Sequence, residues 1–202
     1  MTTDSRRDQA TANYYAEHAL SFIRETVELE LGELYGRFTA HLPAGGRILD
    51  AGCGSGRDSL YFRRQGYELL AIDSCAAFVA HTQAHAGVEA RCLSFAELDF
   101  NQAFDGVWAS ASLLHLRPQE LPQTFERLLT ALRPGGLLYA SFKYGNFAGE
   151  RQGRWFTDLD EAGLASLLQS LPGCRLPETW QTSDARPQRA HERWLNLLLR
   201  AA

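Results

Sequence analysis

The stretch "ILDAGCGSGRDSLYF" (48–62) sets Gly52, Gly54 and Gly56 at every second position, right behind an aspartate, Asp50, that closes an apolar run. Glycines there let the backbone bend tightly and let a ligand lie close against it. About 20 residues further on, "YELLAID" ends on Asp73, the spacing at which an acid closing a second strand meets a pair of ribose hydroxyls. The two groups together describe a turn that holds a nucleoside.

Charge decides which nucleoside. A pyrophosphate cofactor favours G-x-G-x-x-G, with bare amides aimed at anionic oxygens. Here an acid stands just before the glycines. Asp50 would repel a phosphate and suits a ligand with an ammonium and a sulfonium group, the chemistry of S-adenosylmethionine. The other reading of Asp50 is a residue that caps the next helix or orders the turn. A nicotinamide oxidoreductase fits the pattern poorly.

Methyl transfer from a sulfonium is an in-line displacement, helped chiefly by alignment and exclusion of water. A base is needed only where the acceptor must lose a proton. His115, in "SLLHL", is the candidate base, with a packed structural histidine as the alternative. Tyr144 joins it as a second candidate catalytic residue. The loop "FKYGNFAGERQGRWF" also brings Lys143, Arg151 and Arg154, read here as binding an anionic acceptor; ion pairing within a solvated loop is the alternative. A second basic group, Arg186, Arg189 and Arg193, follows in "ARPQRAHERW". Trp155, Trp180 and Trp194 frame either a pocket or core.

These residues need elements to hold them. Residues 13–42 read as helical, stopped by "PAGG". "RILDAG" is a strand, a helix from about Asp58 ends at Gly66, and "YELLAID" is a second strand. "AAFVAHTQAH" is a helix, "VEARCL" (88–93) and "FDGVWAS" (104–110) are strands. "PQELPQTFERLLTALRPGG" is a helix stopped by Pro134, Gly135 and Gly136, and "LLYASF" (137–142) is the fifth strand. Alternation of strand and helix predicts a parallel sheet covered on both faces. Residues 143–155 read as a long polar loop, and a helix follows with its cap at Thr157 or Asp158. "RLPETWQT" and "HERWLNLLLR" are joined too closely for a crossover helix, so they form an antiparallel pair.

The segments "ILDAGCGSGRDSLYF", "LLAID", "FDGVWASASLLHL" and "LRPGGLLYASF" resemble the Rossmann-like (class I) S-adenosylmethionine-dependent methyltransferases, and most of all the small ubiquinone-biosynthesis and tellurite-resistance group. The resemblance is good over residues 45–145 and implies an α/β three-layer sandwich. Its seven-stranded, mostly parallel sheet would carry an antiparallel last strand beneath an N-terminal helical lid. It implies that Asp50, Gly52, Cys53, Gly54 and Gly56 hold the methionine end of the cofactor and that Asp73 and Ser74 face the ribose. Ser94 and Phe95 would flank the adenine, where many members have an aspartate. Ser110 would lie under the cofactor, and Tyr15, in "NYYAEHALSF", near its carboxylate. S-adenosylhomocysteine would be the product.

With 202 residues, the chain fits one domain: N-terminal helices (1–42), a cofactor-binding core (45–145) and an acceptor-side loop with C-terminal strands (146–202). A net charge of −4 disfavours a nucleic-acid partner. No apolar run approaches the roughly 20 residues that span a bilayer. The four cysteines show no metal or disulfide spacing, which predicts reduced thiols, no metal and a cytoplasmic setting. The expected partner is a small-molecule acceptor, for a monomer or homodimer. The competing readings are a methyltransferase for RNA or protein and a non-catalytic S-adenosylmethionine-binding module; "SASLLHL" lacks the [D/N]-P-P-[Y/F] motif of enzymes acting on base amines.

Overall fold

The run "RILDA" forms strand β1 (Arg47–Ala51) at the centre of the sheet in a computed structural model of the chain. The structure describes residues 3–171 and 174–202, with side chains described from 10 to 171 and from 178 to 202. Four of the five β1 residues are buried, the pattern of a strand covered on both faces.

Strands β2 (Glu68–Asp73) and β3 (Glu89–Cys92) add to one side of β1, and β4 (Phe104–Ala109) and β5 (Leu132–Lys143) to the other, all parallel. The chain then makes a separate hairpin, β6 (Ala148–Arg151) and β7 (Arg154–Thr157). Finally β8 (Cys174–Ser183) and β9 (Arg193–Ala201) complete the seven-stranded sheet in the order β3-β2-β1-β4-β5-β9-β8. Strand β9 runs antiparallel to both neighbours. This is the predicted architecture.

Helices α2 (Gly32–Thr39) and α3 (Arg57–Arg64) bury Tyr35, Phe38 and Phe62 against one face, where Trp108 stacks on Tyr139 at 3.9 Å. Helix α4 (Ala76–Ala86) packs on β2 and β3. Helices α5 (Leu121–Ala131) and α6 (Glu161–Gln169) cover the other face through Phe125, Leu128, Leu164 and Leu167. The first helix, α1 (Thr3–Thr26), touches α4 and β7.

Four expectations change. The N-terminal helical region breaks into α1 and α2 at residues 27–31. The fifth strand begins at Leu132 and runs through "RPGG", with a register shift opposite Phe104 and Gly106. The polar loop after Lys143 is largely the β6–β7 hairpin. Its two turn residues, Gln152 and Gly153, have φ of 51° and 76°, the left-handed pair that tight hairpins use. Helix α6 is capped by Asp160, whose Oδ1 accepts from the Gly163 amide at 2.8 Å. Thr157 instead donates its hydroxyl to the Leu116 carbonyl, and Asp158 is tied to Arg151.

Candidate active site

The carboxyl ends of β1, β2, β4 and β5 open onto one cavity of about 1300 Å³. Ligand pockets typically occupy about 300–1,000 Å³, so this one has room for two bound molecules. The glycine turn is its floor. Gly52 has φ of +92°, and a Cβ built on it would lie 2.4 Å from the Ser112 Cβ, so the loop after β4 rests directly on the turn. Ser112 fixes this approach by donating its hydroxyl to the Ala51 carbonyl at 2.7 Å.

Asp73 reaches the turn from the end of β2. Its Oδ2 accepts from the Gly54 amide at 3.0 Å and its Oδ1 from the Cys75 amide at 2.9 Å. Burial outweighs these amide bonds and pushes its pKa up to about 6. A ribose diol could still donate to its free lone pairs. Cys53, Gly54, Ser74, Ser94, Phe95 and Ser110 line the same cavity. The Ser94 hydroxyl and amide are both engaged by Glu97, so its backbone and its neighbour Phe95 form that part of the wall.

Asp50 lies behind the turn. It is buried and accepts from the Ser59 hydroxyl at 2.6 Å. Burial and then the nearby Asp58 charge push its pKa up to about 8. Asp58, which the sequence reading treated only as a helix start, is the centre of a buried network. It accepts from Arg57 Nε at 2.6 Å, from Trp108 Nε1 at 2.8 Å and from the Tyr35 hydroxyl. Burial favours its neutral form, but the Arg57 charge and these donors hold its pKa below the usual carboxylate range. One arginine thus serves two carboxylates, and Asp58 takes it.

Helix α1 lines the cavity through Thr11, Tyr15 and Phe22. The Tyr15 hydroxyl meets His115 Nε2, His115 Nδ1 meets the Trp155 carbonyl, and the Trp155 amide donates to Thr11 Oγ1. Helix α1, the turn after β4 and the β6–β7 hairpin are thereby joined. Tyr144 sits at the rim, 39% exposed, with its hydroxyl given to Glu161 at 2.8 Å.

The three cations read as acceptor ligands separate. Lys143 is paired with Glu192, and Arg151 is paired with Asp158 while covering the Phe147 ring at 4.0 Å. Arg154 has no carboxylate within 4.0 Å among the described residues. The second basic group lines the cavity beyond β5. Arg186 pairs with Asp184 at 2.6 Å, Arg189 lies 3.9 Å from Glu192, and Arg193 donates to Ser183 Oγ at 3.2 Å. Of the three tryptophans, Trp194 lines the cavity, with its indole N–H on Asp184 at 3.1 Å. Asn196, absent from the sequence reading, accepts from the Tyr139 hydroxyl at 2.7 Å and donates to Thr182 Oγ1 at 3.0 Å on the same wall. Nothing local marks a lone Asn in a strand; only the β5–β9–β8 pairing brings it to the site.

Residues 48–136 match the model of a methyltransferase domain family. That match covers less than half of the chain, and the fold and glycine turn are similar to those of Rossmann-like, class I S-adenosylmethionine-dependent methyltransferases, among whose solved structures some hold S-adenosylmethionine or S-adenosylhomocysteine. Among curated relatives, the ubiquinone biosynthesis O-methyltransferase of Nitrobacter winogradskyi is 30% identical over 125 residues, 55% of this chain and 47% of the relative. The chain thus spans about half the length of that relative. Among solved structures, the Burkholderia thailandensis 1,6-didemethyltoxoflavin-N1-methyltransferase, with 1,6-didemethyltoxoflavin and S-adenosylhomocysteine bound, superposes with a TM-score of 0.80 at 22% identity, covering 100% of this chain and 92% of that one. The [4+2]-cyclase SpnF shares the fold at a TM-score of 0.74 and 21% identity, over 96% of each chain.

The residues fit the cofactor. The turn offers amides, the Asp73 carboxylate is placed for a diol, and an unmatched cation, Arg154, faces the same space. Among the described residues no group of three or more His, Cys, Asp and Glu could hold a metal ion, and no helix is long and apolar enough to cross a membrane.

Proposed function

We propose that the chain transfers a methyl group from S-adenosylmethionine to a small-molecule acceptor carrying an anionic group. The cofactor supplies an electrophilic methyl group when bound. Asp73 holds its ribose, the Gly52–Ser55 turn its methionine end, and the acceptor occupies the wing of the cavity beyond β5.

One observation carries the anionic reading. The wall of that wing sets four cations, Lys143, Arg186, Arg189 and Arg193, against two carboxylates, Asp184 and Glu192. An unbalanced positive wall beside a polar strip of Ser141, Thr182 and Asn196 suits a carboxylate, phosphate or other oxyanion. Arg151 contributes through the hairpin, where Asp158 already holds it. The small-molecule part is supported by two of the proteins named above, a ubiquinone biosynthesis O-methyltransferase and a 1,6-didemethyltoxoflavin-N1-methyltransferase.

The test is incubation with S-adenosylmethionine and a fractionated metabolite extract, following S-adenosylhomocysteine release and a mass gain of one methylene in a single metabolite. Anion-exchange fractions should carry the accepted compound, and Lys143→Ala with Arg189→Ala should raise its KM at least tenfold. Turnover confined to cationic or neutral fractions would refute the anionic acceptor. Cofactor binding with no fraction yielding S-adenosylhomocysteine would instead make the chain a non-catalytic binding module.

A further inference from the structure

Arg154 is the exception among the cations of this cavity. Arg57, Lys143, Arg151 and Arg186 each hold a carboxylate, and Arg193 is exposed to solvent. Arg154 is half-buried, and its Nε is fully buried with no hydrogen-bond partner. Its guanidinium carbon lies 4.3 Å from the Tyr14 ring centre, 5.1 Å from Phe156 and 5.7 Å from Tyr15. Among the described residues its one hydrogen-bond contact is a long 3.4 Å approach of Nη1 to the Tyr15 hydroxyl. Aromatic faces stabilise the charge, but they leave the planar fork of five N–H donors almost unused. Such a fork matches a carboxylate edge to edge.

Its position tells which carboxylate. Helix α1 lies over the glycine turn: a Cβ on Gly54 would sit 3.2 Å from Phe22. Tyr15 packs 5.4 Å from Phe22 and 5.7 Å from Phe78 of α4, and the Asp73 charge reaches its hydroxyl. Arg154 touches Tyr15 from the hairpin side, so it faces the space between the turn and His115. The cationic wing of Lys143 and Arg186 lies on the other side of β5. The cofactor carries no phosphate; its one anionic group is the α-carboxylate at the end of its methionine tail. Asp73 at the turn is placed for the ribose, and the one negative charge of that molecule needs a cation elsewhere on the cavity wall.

We propose that Arg154 binds the α-carboxylate of S-adenosylmethionine, and so closes the β6–β7 hairpin and α1 onto the cofactor. This moves Arg154 from the acceptor, where the sequence placed it, to the cofactor. It rests on S-adenosylmethionine being the cofactor, and it leaves the acceptor to the wing beyond β5. Tyr14, Tyr15 and Phe156 position the guanidinium, and cofactor binding orders the two elements that carry them.

The experiment is a cycle of four calorimetric titrations: wild type and Arg154→Ala, each with S-adenosylhomocysteine and with its decarboxylated analogue. Wild type should bind S-adenosylhomocysteine roughly 10 to 100 times more tightly than the analogue, the range of a charge-assisted bond. Arg154→Ala should lose that preference and bind the analogue as wild type does, within about twofold. Arg154→Lys should keep part of the preference. An unchanged preference in the variant, or an equal loss for both ligands, would overturn the assignment, the second result marking a structural role. Should Arg154→Ala fail to fold, equal wild-type affinity for the two ligands overturns it alone. No binding of either ligand by wild type would instead sink the cofactor reading beneath it.

Discussion

Tyr15 Oη lies 2.7 Å from His115 Nε2, across 100 residues of sequence, and this contact fixes the chemistry of the histidine. His115 Nδ1 lies 2.7 Å from the Trp155 carbonyl, which can only accept, so the proton sits on Nδ1 and Nε2 accepts from Tyr15. Burial first, and then the Arg154 charge, push the His115 pKa down to about 4. At neutral pH the ring is uncharged, and its one lone pair is covered by the lid. His115 can act as a base only where Tyr15 moves aside or carries the proton itself.

Tyr15→Phe removes the bond that fastens the lid to the turn after β4 and leaves a buried imidazole nitrogen unsatisfied. It should lower stability by about 1–2 kcal/mol, read from the denaturant midpoint at constant slope. Hydrogen exchange should speed up in α1 and the β6–β7 hairpin more than in β1 or β4. Uniform acceleration across the sheet would mean that the contact is not a local latch.

His115 and Asp50 give the unliganded protein opposing pH dependences. The folded pKa of His115, about 4, lies below its ordinary 6.5, so the unfolded chain binds more protons between those values and stability rises with pH across them. Asp50 has the opposite sign. Its folded pKa, about 8, lies above its ordinary 3.8, so its contribution to stability falls as pH rises from about 4 to 8. Each slope is at most about 1.4 kcal/mol per pH unit. Asp50→Asn should therefore gain on wild type steadily as pH is raised to 8, with the gap widest above pH 8. A gap independent of pH would show that Asp50 is ionised throughout.

The parts of this site that were legible in the sequence are those written in adjacent residues. Glycine spacing gave the turn, and Asp73 could be placed because β2 must lie beside β1. The unread parts depend on distant pairings. Lys143 and Glu192 are 49 residues apart, and nothing near Lys143 shows that its charge is matched. Arg154 looked like its neighbour Arg151, yet only Arg151 lies against an acid, Asp158. The hairpin was missed because "RQGR" places a glutamine at positive φ, where asparagine or aspartate would have signalled the turn. Asp58 was hidden by its adjacent Arg57, which reads as an ordinary surface pair until Tyr35 and Trp108 close over it.

Asp73→Asn keeps the size and one acceptor oxygen of the side chain but removes its charge. One oxygen would still accept from the Gly54 or Cys75 amide, so the turn should fold. Affinity for S-adenosylhomocysteine should fall roughly 10- to 100-fold. Wild-type affinity should itself weaken as pH falls through about 6, where Asp73 takes a proton, and the variant should lack that dependence. Calorimetry between pH 5 and 8 measures both. Equal affinity of the two proteins at pH 8 would remove Asp73 from the ribose site.

Gly52→Ala tests whether the close approach of two loops shapes the turn. Alanine at φ of +92° is strained, and its methyl group would meet the Ser112 Cβ at 2.4 Å. Backbone strain and overpacking together should cost about 2–5 kcal/mol and abolish measurable S-adenosylhomocysteine binding. The two terms can be separated. Ser112→Gly removes the clashing Cβ but not the strained φ, so the Gly52→Ala, Ser112→Gly double variant should recover the overpacking share, about 1–3 kcal/mol, relative to the sum of the singles. The coupling appears as a non-additive shift in the unfolding midpoint. Strict additivity would mean that the alanine strains the backbone alone, and that the loop after β4 can move off the turn without loss.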